Sequence, residues 1–133
     1  MLAEETSLLN MPPTFSWYIA LLVLKWIKAQ GGLSAMAERN SAKADALYQT
    51  IDGTGFYRNA VEKKSRSRMN IPFTLANPAR DKKFLSAARA AGLANLEGHR
   101  FIGGMRASLY NAMPVAGVQA LSYFMVEFER RNG

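Results

Sequence analysis

Gly98-His99-Arg100-Phe101-Ile102-Gly103-Gly104-Met105-Arg106-Ala107-Ser108-Leu109-Tyr110-Asn111-Ala112-Met113-Pro114 is the stretch on which the reading of this chain turns. A histidine and two arginines stand around a Gly-Gly break, a half-buried strand follows, and Pro114 suits the first turn of a helix. Arginine carries a planar, permanently charged fork that grips a carboxylate or phosphate through two parallel hydrogen bonds. Arg100 and Arg106 are therefore the natural anion ligands, and His99 adds a switchable donor beside them. In a regular strand the two arginines would lie roughly 20 Å apart at ~3.3 Å per residue, too far for one small metabolite. Either Gly103-Gly104 bends the chain, or the arginines serve different ligands, as two copies in a symmetric dimer would allow.

Beyond Pro114, Val118, Leu121, Met125 and Phe128 recur at helical spacing as the buried stripe of a last helix. Upstream, Asn77-Pro78 caps a third helix with Phe84, Leu85 and Ala88 turned inward, closed near Gly92. Before it, Met69, Ile71, Phe73 and Leu75 alternate with Asn70, Pro72 and Thr74, the period of a half-buried strand. Pro72 has no amide hydrogen, which predicts an edge strand or a bulge. Phe56-Tyr57-Arg58 reads as a short strand, after an Asp52-Gly53-Thr54-Gly55 turn.

Two helices precede these elements. Thr14 caps the first, which runs to about Gln30 and ends at Gly31-Gly32. Its middle, Trp17 to Leu24, is apolar on every side, the mark of a helix covered by protein layers, and part of its cover is expected to lie outside this chain. Eight or so apolar residues fall far short of the ~20 needed to cross a bilayer, so no membrane role is read. The second helix carries Leu33, Met36, Ala37, Asn40, Ala44, Leu47, Tyr48 and Ile51 inward, and Glu38, Arg39, Lys43 and Asp45 on a solvated face. The order helix, helix, strand, helix, strand, helix indicates an α+β domain, a small mostly antiparallel or mixed sheet covered by helices.

A chain of 133 residues supports one core. No cysteine is present, which removes disulfides, thiol nucleophiles and thiolate metal sites, and one histidine is too few for a protein-only zinc or iron centre. Seventeen basic against ten acidic residues leave a charge of +7, a field that favours anions. The densest run, Lys63-Lys64-Ser65-Arg66-Ser67-Arg68, could neutralise nucleic-acid phosphates, but no recognition motif accompanies it, and a solvated loop is the preferred reading. No lysine reads as a buried amine of lowered pKa. Met1-Leu2-Ala3-Glu4-Glu5 lacks the basic start of a secretory signal, so the cytoplasm is expected.

Asn10-Met11-Pro12-Pro13-Thr14-Phe15, Leu24-Lys25-Trp26, Gly31-Gly32-Leu33, Phe56-Tyr57-Arg58, Ser67-Arg68-Met69-Asn70, Ala91-Gly92-Leu93 and the Gly98 to Pro114 signature together resemble, in order, the C-terminal portion of the bacterial phosphoserine aminotransferases. The resemblance implies a lead over residues 1–12 and a small domain over 13–133. It also implies a pyridoxal-phosphate-dependent homodimer that makes phosphoserine from phosphohydroxypyruvate with glutamate as amino donor, in serine biosynthesis. In such enzymes the position of Arg106 holds the substrate α-carboxylate, His99 and Arg100 reach the distal phosphate or carboxylate, and Asn10 with its successor contacts the cofactor phosphate. Met11 departs from the family's usual threonine and cannot donate a hydrogen bond to that phosphate. The Schiff-base lysine belongs to a large domain that precedes this segment in the family, so this chain alone is expected to be inactive. The alternatives are a stand-alone anion-binding or regulatory module and, behind it, a nucleic-acid-binding module.

Overall fold

The computed structural model describes residues 11–133. They divide into two compact units, one ending at Met36 and one spanning Ala37–Gly133.

The first unit is dominated by helix α1, Thr14–Ala29. Thr14 is its first residue rather than its cap: Pro13 occupies the cap position, where no side chain can accept a hydrogen bond, and its carbonyl takes the Trp17 amide at 3.1 Å. No α1 residue is buried, and all its large apolar side chains except the half-buried Ile27 stand between 37% (Trp26) and 76% (Phe15) exposed. Helix α2, Gly32–Asp52, begins in this unit and continues into the second.

In the second unit four strands form one sheet: β1 (Tyr57–Arg58), β2 (Asn70–Leu75), β3 (Glu97–His99) and β4 (Gly103–Ser108), in the order β1-β2-β4-β3 with every pairing antiparallel. Helices α3 (Asp81–Ala90) and α4 (Val115–Asn132) complete it. Asn70–Leu75 alternates exposed and buried, as its sequence period requires, and Met105 and Ala107 of β4 join Ile71, Phe73 and Leu75 in the core. Val118, Leu121, Met125 and Phe128 of α4, and Phe84 and Ala88 of α3, are the buried stripes expected of those helices. Phe56, Tyr57, Phe73, Phe84, Phe124 and Phe128 meet mostly edge to face at 5.0–6.1 Å, pairs worth about 0.5–1.5 kcal/mol each beyond the area they bury. The Tyr57 hydroxyl donates to the Met125 carbonyl at 2.8 Å inside this cluster, and burial holds its phenol pKa well above the ordinary value.

Four expectations need correction. β2 is an interior strand, paired with β1 on one side and β4 on the other, despite Pro72. The two-residue ladder to β1 involves only Thr74 and Leu75, and the Pro72 carbonyl accepts instead from the Asn59 side chain at 2.6 Å, so the missing amide falls where the neighbouring strand has ended. Second, the single strand expected through the diagnostic stretch is two, folded into a hairpin whose turn is Arg100-Phe101-Ile102. Third, Asn77 accepts from the Ala79 amide at 3.1 Å but caps a short 3₁₀ turn, Pro78–Arg80, ahead of α3. Fourth, the inward stripe of α2 omits Leu33 and Ala37, which are exposed, and includes Lys43, which is 1% exposed. The Lys43 ammonium donates to the carbonyls of Tyr110 at 2.8 Å and Met113 at 3.0 Å, in the turn between β4 and α4 that the Met113 amide closes on the Tyr110 carbonyl at 2.9 Å. Burial, and secondarily the charge of Arg39, lowers its pKa.

Candidate functional site

The β3–β4 hairpin positions the sequence-predicted cations. His99 faces Gly103 across the ladder, and the Ile102 amide returns to the His99 carbonyl at 2.9 Å, which closes the turn. Gly104 sits at φ +65°, and a Cβ there would come within 2.8 Å of the Phe73 carbonyl oxygen. A Cβ on Gly98 would collide with the backbone carbonyls of Gly103 and Gly104. The glycines therefore permit close approach of backbone to backbone, and the turn, rather than the Gly-Gly pair, reverses the chain.

At the tip, the Arg100 guanidinium lies 4.6 Å from the centre of the Phe101 ring, a stacking that occupies its face and leaves its in-plane N–H groups available. The Nδ1 of His99 accepts the Phe101 amide at 3.3 Å, so Nε2 is the nitrogen left for a ligand. Phe101 and Ile102 are 79% and 82% exposed, an apolar tip between two polar flanks. Arg106, on β4 opposite Pro72, donates its backbone amide to the Leu96 carbonyl at 2.8 Å while its side chain stays exposed.

Because the chain turns back, Arg100 and Arg106 line one cleft of about 860 Å³ between α3 and the hairpin. The 20 Å separation of a straight strand does not arise. Lys82 and Arg89 of α3 line the same cleft, as do Ser86 and Glu97. Among the described residues no carboxylate pairs with Lys82, Arg89, Arg100 or Arg106. Arg106 also borders a second cavity of about 540 Å³, walled in part by Tyr110 and Met113, the turn that Lys43 holds. His99 is not among the residues lining the cleft. Sequence reasoning missed Lys82 and Arg89, although their seven-residue spacing with Ser86 between places all three on one helical stripe.

The basic loop is differently made. Arg66 forms a two-pronged pair with Asp52 at 2.6 and 2.9 Å, lies 4.6 Å over the Tyr48 ring and donates from Nε to the Val61 carbonyl at 3.3 Å. The hydrogen bond from Arg66 holds the Asp52 carboxyl below its usual pKa. Lys64 pairs with Glu62 at 3.2 Å. This loop closes the end of α2.

The described residues do not by themselves form a pyridoxal phosphate cradle. Met11 is 96% exposed with a thioether that cannot donate, Asn10 lies outside the described residues, and the one buried lysine among those described, Lys43, has its amine committed to two carbonyls. No group of three or more histidine, cysteine or acidic side chains suited to a metal occurs among the described residues, and none of their helices alone is long and apolar enough to cross a membrane.

Residues 2–121 match the family described as aminotransferase class-V, and the chain belongs to that family. Its structural likenesses narrow the class. A phosphoserine aminotransferase solved for radiation damage of its Schiff base is 45% identical, with a TM-score of 0.89, over 98% of this chain and 36% of that one. The phosphoserine aminotransferase of Bacillus circulans subsp. alkalophilus is 44% identical, with a TM-score of 0.90, over 99% and 37%. The pyridoxal-phosphate-bound phosphoserine aminotransferase of Trichomonas vaginalis is 37% identical, with a TM-score of 0.83, over 94% and 36%. The chain therefore spans little more than a third of the proteins it resembles, and it shares their α+β fold over nearly its full length.

Proposed function

We propose that residues 13–133, after a lead over 1–12, act as the small domain of a pyridoxal-phosphate-dependent phosphoserine aminotransferase. The observation that carries this reading is the pair Arg100 and Arg106, unpaired with any carboxylate among the described residues and opening on one cleft, in a chain 44–45% identical to phosphoserine aminotransferases. Arg106 takes the α-carboxylate of glutamate or of the phosphorylated amino or keto acid. His99 and Arg100, carried on the exposed hairpin tip, take the distal phosphate or carboxylate of a substrate held by a second copy. Asn10 and Met11 touch the cofactor phosphate from across the dimer, the latter weakly. The cofactor and its lysine come from a large domain absent from this chain, and the exposed apolar side chains of α1 support a covering by that domain or a second copy. The complete enzyme works in the cytoplasm as a homodimer.

The 133-residue chain mixed with pyridoxal phosphate, glutamate and phosphohydroxypyruvate is expected to yield no phosphoserine. Turnover by the chain alone would overturn the division of labour. In an enzyme completed with a large domain, Arg106→Ala should raise KM for every substrate, while Arg100→Ala should penalise the phosphorylated ones more. Equal and negligible effects would remove both roles.

A further inference from the structure

Three aspartates occur in the chain, and only Asp52 is followed by glycine; Ala46 follows Asp45 and Lys82 follows Asp81. Glycine has no side chain to shield its amide nitrogen from the carboxyl group before it, so an Asp-Gly pair is the aspartyl sequence most open to attack on itself. In that reaction the Gly53 nitrogen forms a bond to Asp52 Cγ, the Cγ–OH bond breaks, and the hydroxyl leaves with the amide proton as water. The five-membered imide then takes up water at either carbonyl. Opening at Cγ restores aspartate, whereas opening at the main-chain carbonyl gives isoaspartate, whose backbone runs through the side chain. Water is the only co-reactant, and the Asp52 side chain, 34% exposed, lies within its reach.

The folded protein opposes this reaction at both participating groups. Asp52 is the last residue of α2, and the Gly53 amide donates to the Gln49 carbonyl at 2.9 Å, so the nucleophile keeps its proton and its place in the helical bonding pattern. Arg66 donates to both carboxylate oxygens, at 2.6 and 2.9 Å, from a guanidinium that is itself held over the Tyr48 ring and by the Val61 carbonyl. The fork fixes Cγ in place and favours the ionised carboxylate, whose oxygens are poor leaving groups. The lowered pKa of the Asp52 carboxyl, caused first by that hydrogen bond, acts in the same direction. Glycine is nevertheless required, because a Cβ at position 53 would come within 2.8 Å of the Gln49 carbonyl oxygen.

We propose that Asp52-Gly53 is a latent site of isoaspartate formation and that Arg66 is its guard, holding the carboxylate out of ring closure. The proposal does not depend on the functional reading above. A kinked backbone at this point would enter the turn where the Thr54 hydroxyl accepts the Phe56 amide at 3.3 Å, one residue before the buried Tyr57 of β1.

The test is prolonged incubation of the 133-residue chain at neutral pH and body temperature, with isoaspartate located by peptide mapping. Mapping counts separately the product of Asn132-Gly133, which reaches isoaspartate by losing ammonia. Wild type, Arg66→Ala and Lys43→Met are compared folded and in concentrated urea, with thermal melts to confirm folding. Folded Arg66→Ala should accumulate isoaspartate at position 52 about tenfold faster than the wild type, the factor that matches loss of a charge-assisted pair. Lys43→Met, destabilised at a side chain whose hydrogen bonds go to Tyr110 and Met113, should keep the wild-type rate. In urea all three should convert at one common, faster rate. An Arg66→Ala rate equal to that of the wild type overturns the proposal, and so does an equal rise in Lys43→Met, which would assign the protection to overall stability. Wild type that converts as fast when folded as in urea overturns it too. Should Arg66→Ala fail to fold, Arg66→Lys takes its place: it lacks the fork, so faster conversion upholds the guard and wild-type conversion removes it.

Discussion

The loop at residues 62–68 and the cleft beneath the β3–β4 hairpin are both rich in basic side chains, and Arg66 in the one is placed quite differently from the cations of the other. Arg66 in the loop is tied to Asp52, Tyr48 and Val61, whereas Lys82, Arg89, Arg100 and Arg106 around the cleft have no carboxylate partner among the described residues. Density of positive charge along a sequence therefore says little about where an anion binds. The position of the counter-charge decides, and Asp52, fourteen residues from Arg66, is brought to it only by the fold. Lys43 makes the same point inside the core, where carbonyls rather than a carboxylate absorb the charge.

The comparison can be broken most forcefully at the scaffold of the cleft. Gly98→Ala places a methyl against the Gly103 and Gly104 carbonyls, which belong to backbone and cannot swing aside, and should cost about 3 kcal/mol in chemical denaturation as β3 parts from β4. A fully stable variant would show that the hairpin does not need its close approach. Lys43→Met removes the donor shared by the Tyr110 and Met113 carbonyls and should cost about 1–3 kcal/mol, because the Met113 carbonyl loses it while the Tyr110 carbonyl keeps only the Met113 amide. A neutral or stabilising result would mean that water takes over the amine's work.

The tied loop is the next place to press. Arg66→Ala should cost about 1–2 kcal/mol through loss of its two-pronged pair and its packing on Tyr48. The same pair gives a pH signature. The pKa of Asp52 is depressed in the folded protein, so its contribution is complete above the ordinary aspartate value near 4 and is lost as pH falls through the lower folded value. Melting temperatures of the wild type and Asp52→Asn should differ at neutral pH and converge in acid; a constant difference would show that the ionised pair contributes nothing. The smallest effect belongs to the cleft. Arg89→Gln should shift stability by less than about 0.5 kcal/mol, as an exposed charge without a partner would.

Much of this architecture could be read in advance, and what could not has a common cause. The α4 stripe and the β2 alternation were legible because each buries its face against one layer, so period alone reports burial. Pro72 misled because the rule for proline concerns a missing ladder bond, and β1 stops short of the place where the bond would have been. Lys43 misled because its residue type points to solvent, while its partners lie 67 and 70 residues away and leave no local trace. In the diagnostic stretch the cations were legible and the turn was not: the Gly-Gly pair drew attention from Arg100-Phe101-Ile102, where the reversal occurs. Lys82 and Arg89 could have been found from their helical spacing, but only the folded hairpin shows what they face.

The bond from Lys43 also bears on how the chain is made. Synthesis proceeds from the N-terminus, so the amine of α2 emerges long before its acceptors, 67 and 70 residues further on, leave the ribosome. Until then it is a hydrated cation on a nascent helix that cannot bury that side without penalty. Its seating marks the moment at which the C-terminal helix is delivered, and a ribosome stalled before Tyr110 should display α2 with its inner face still open to solvent.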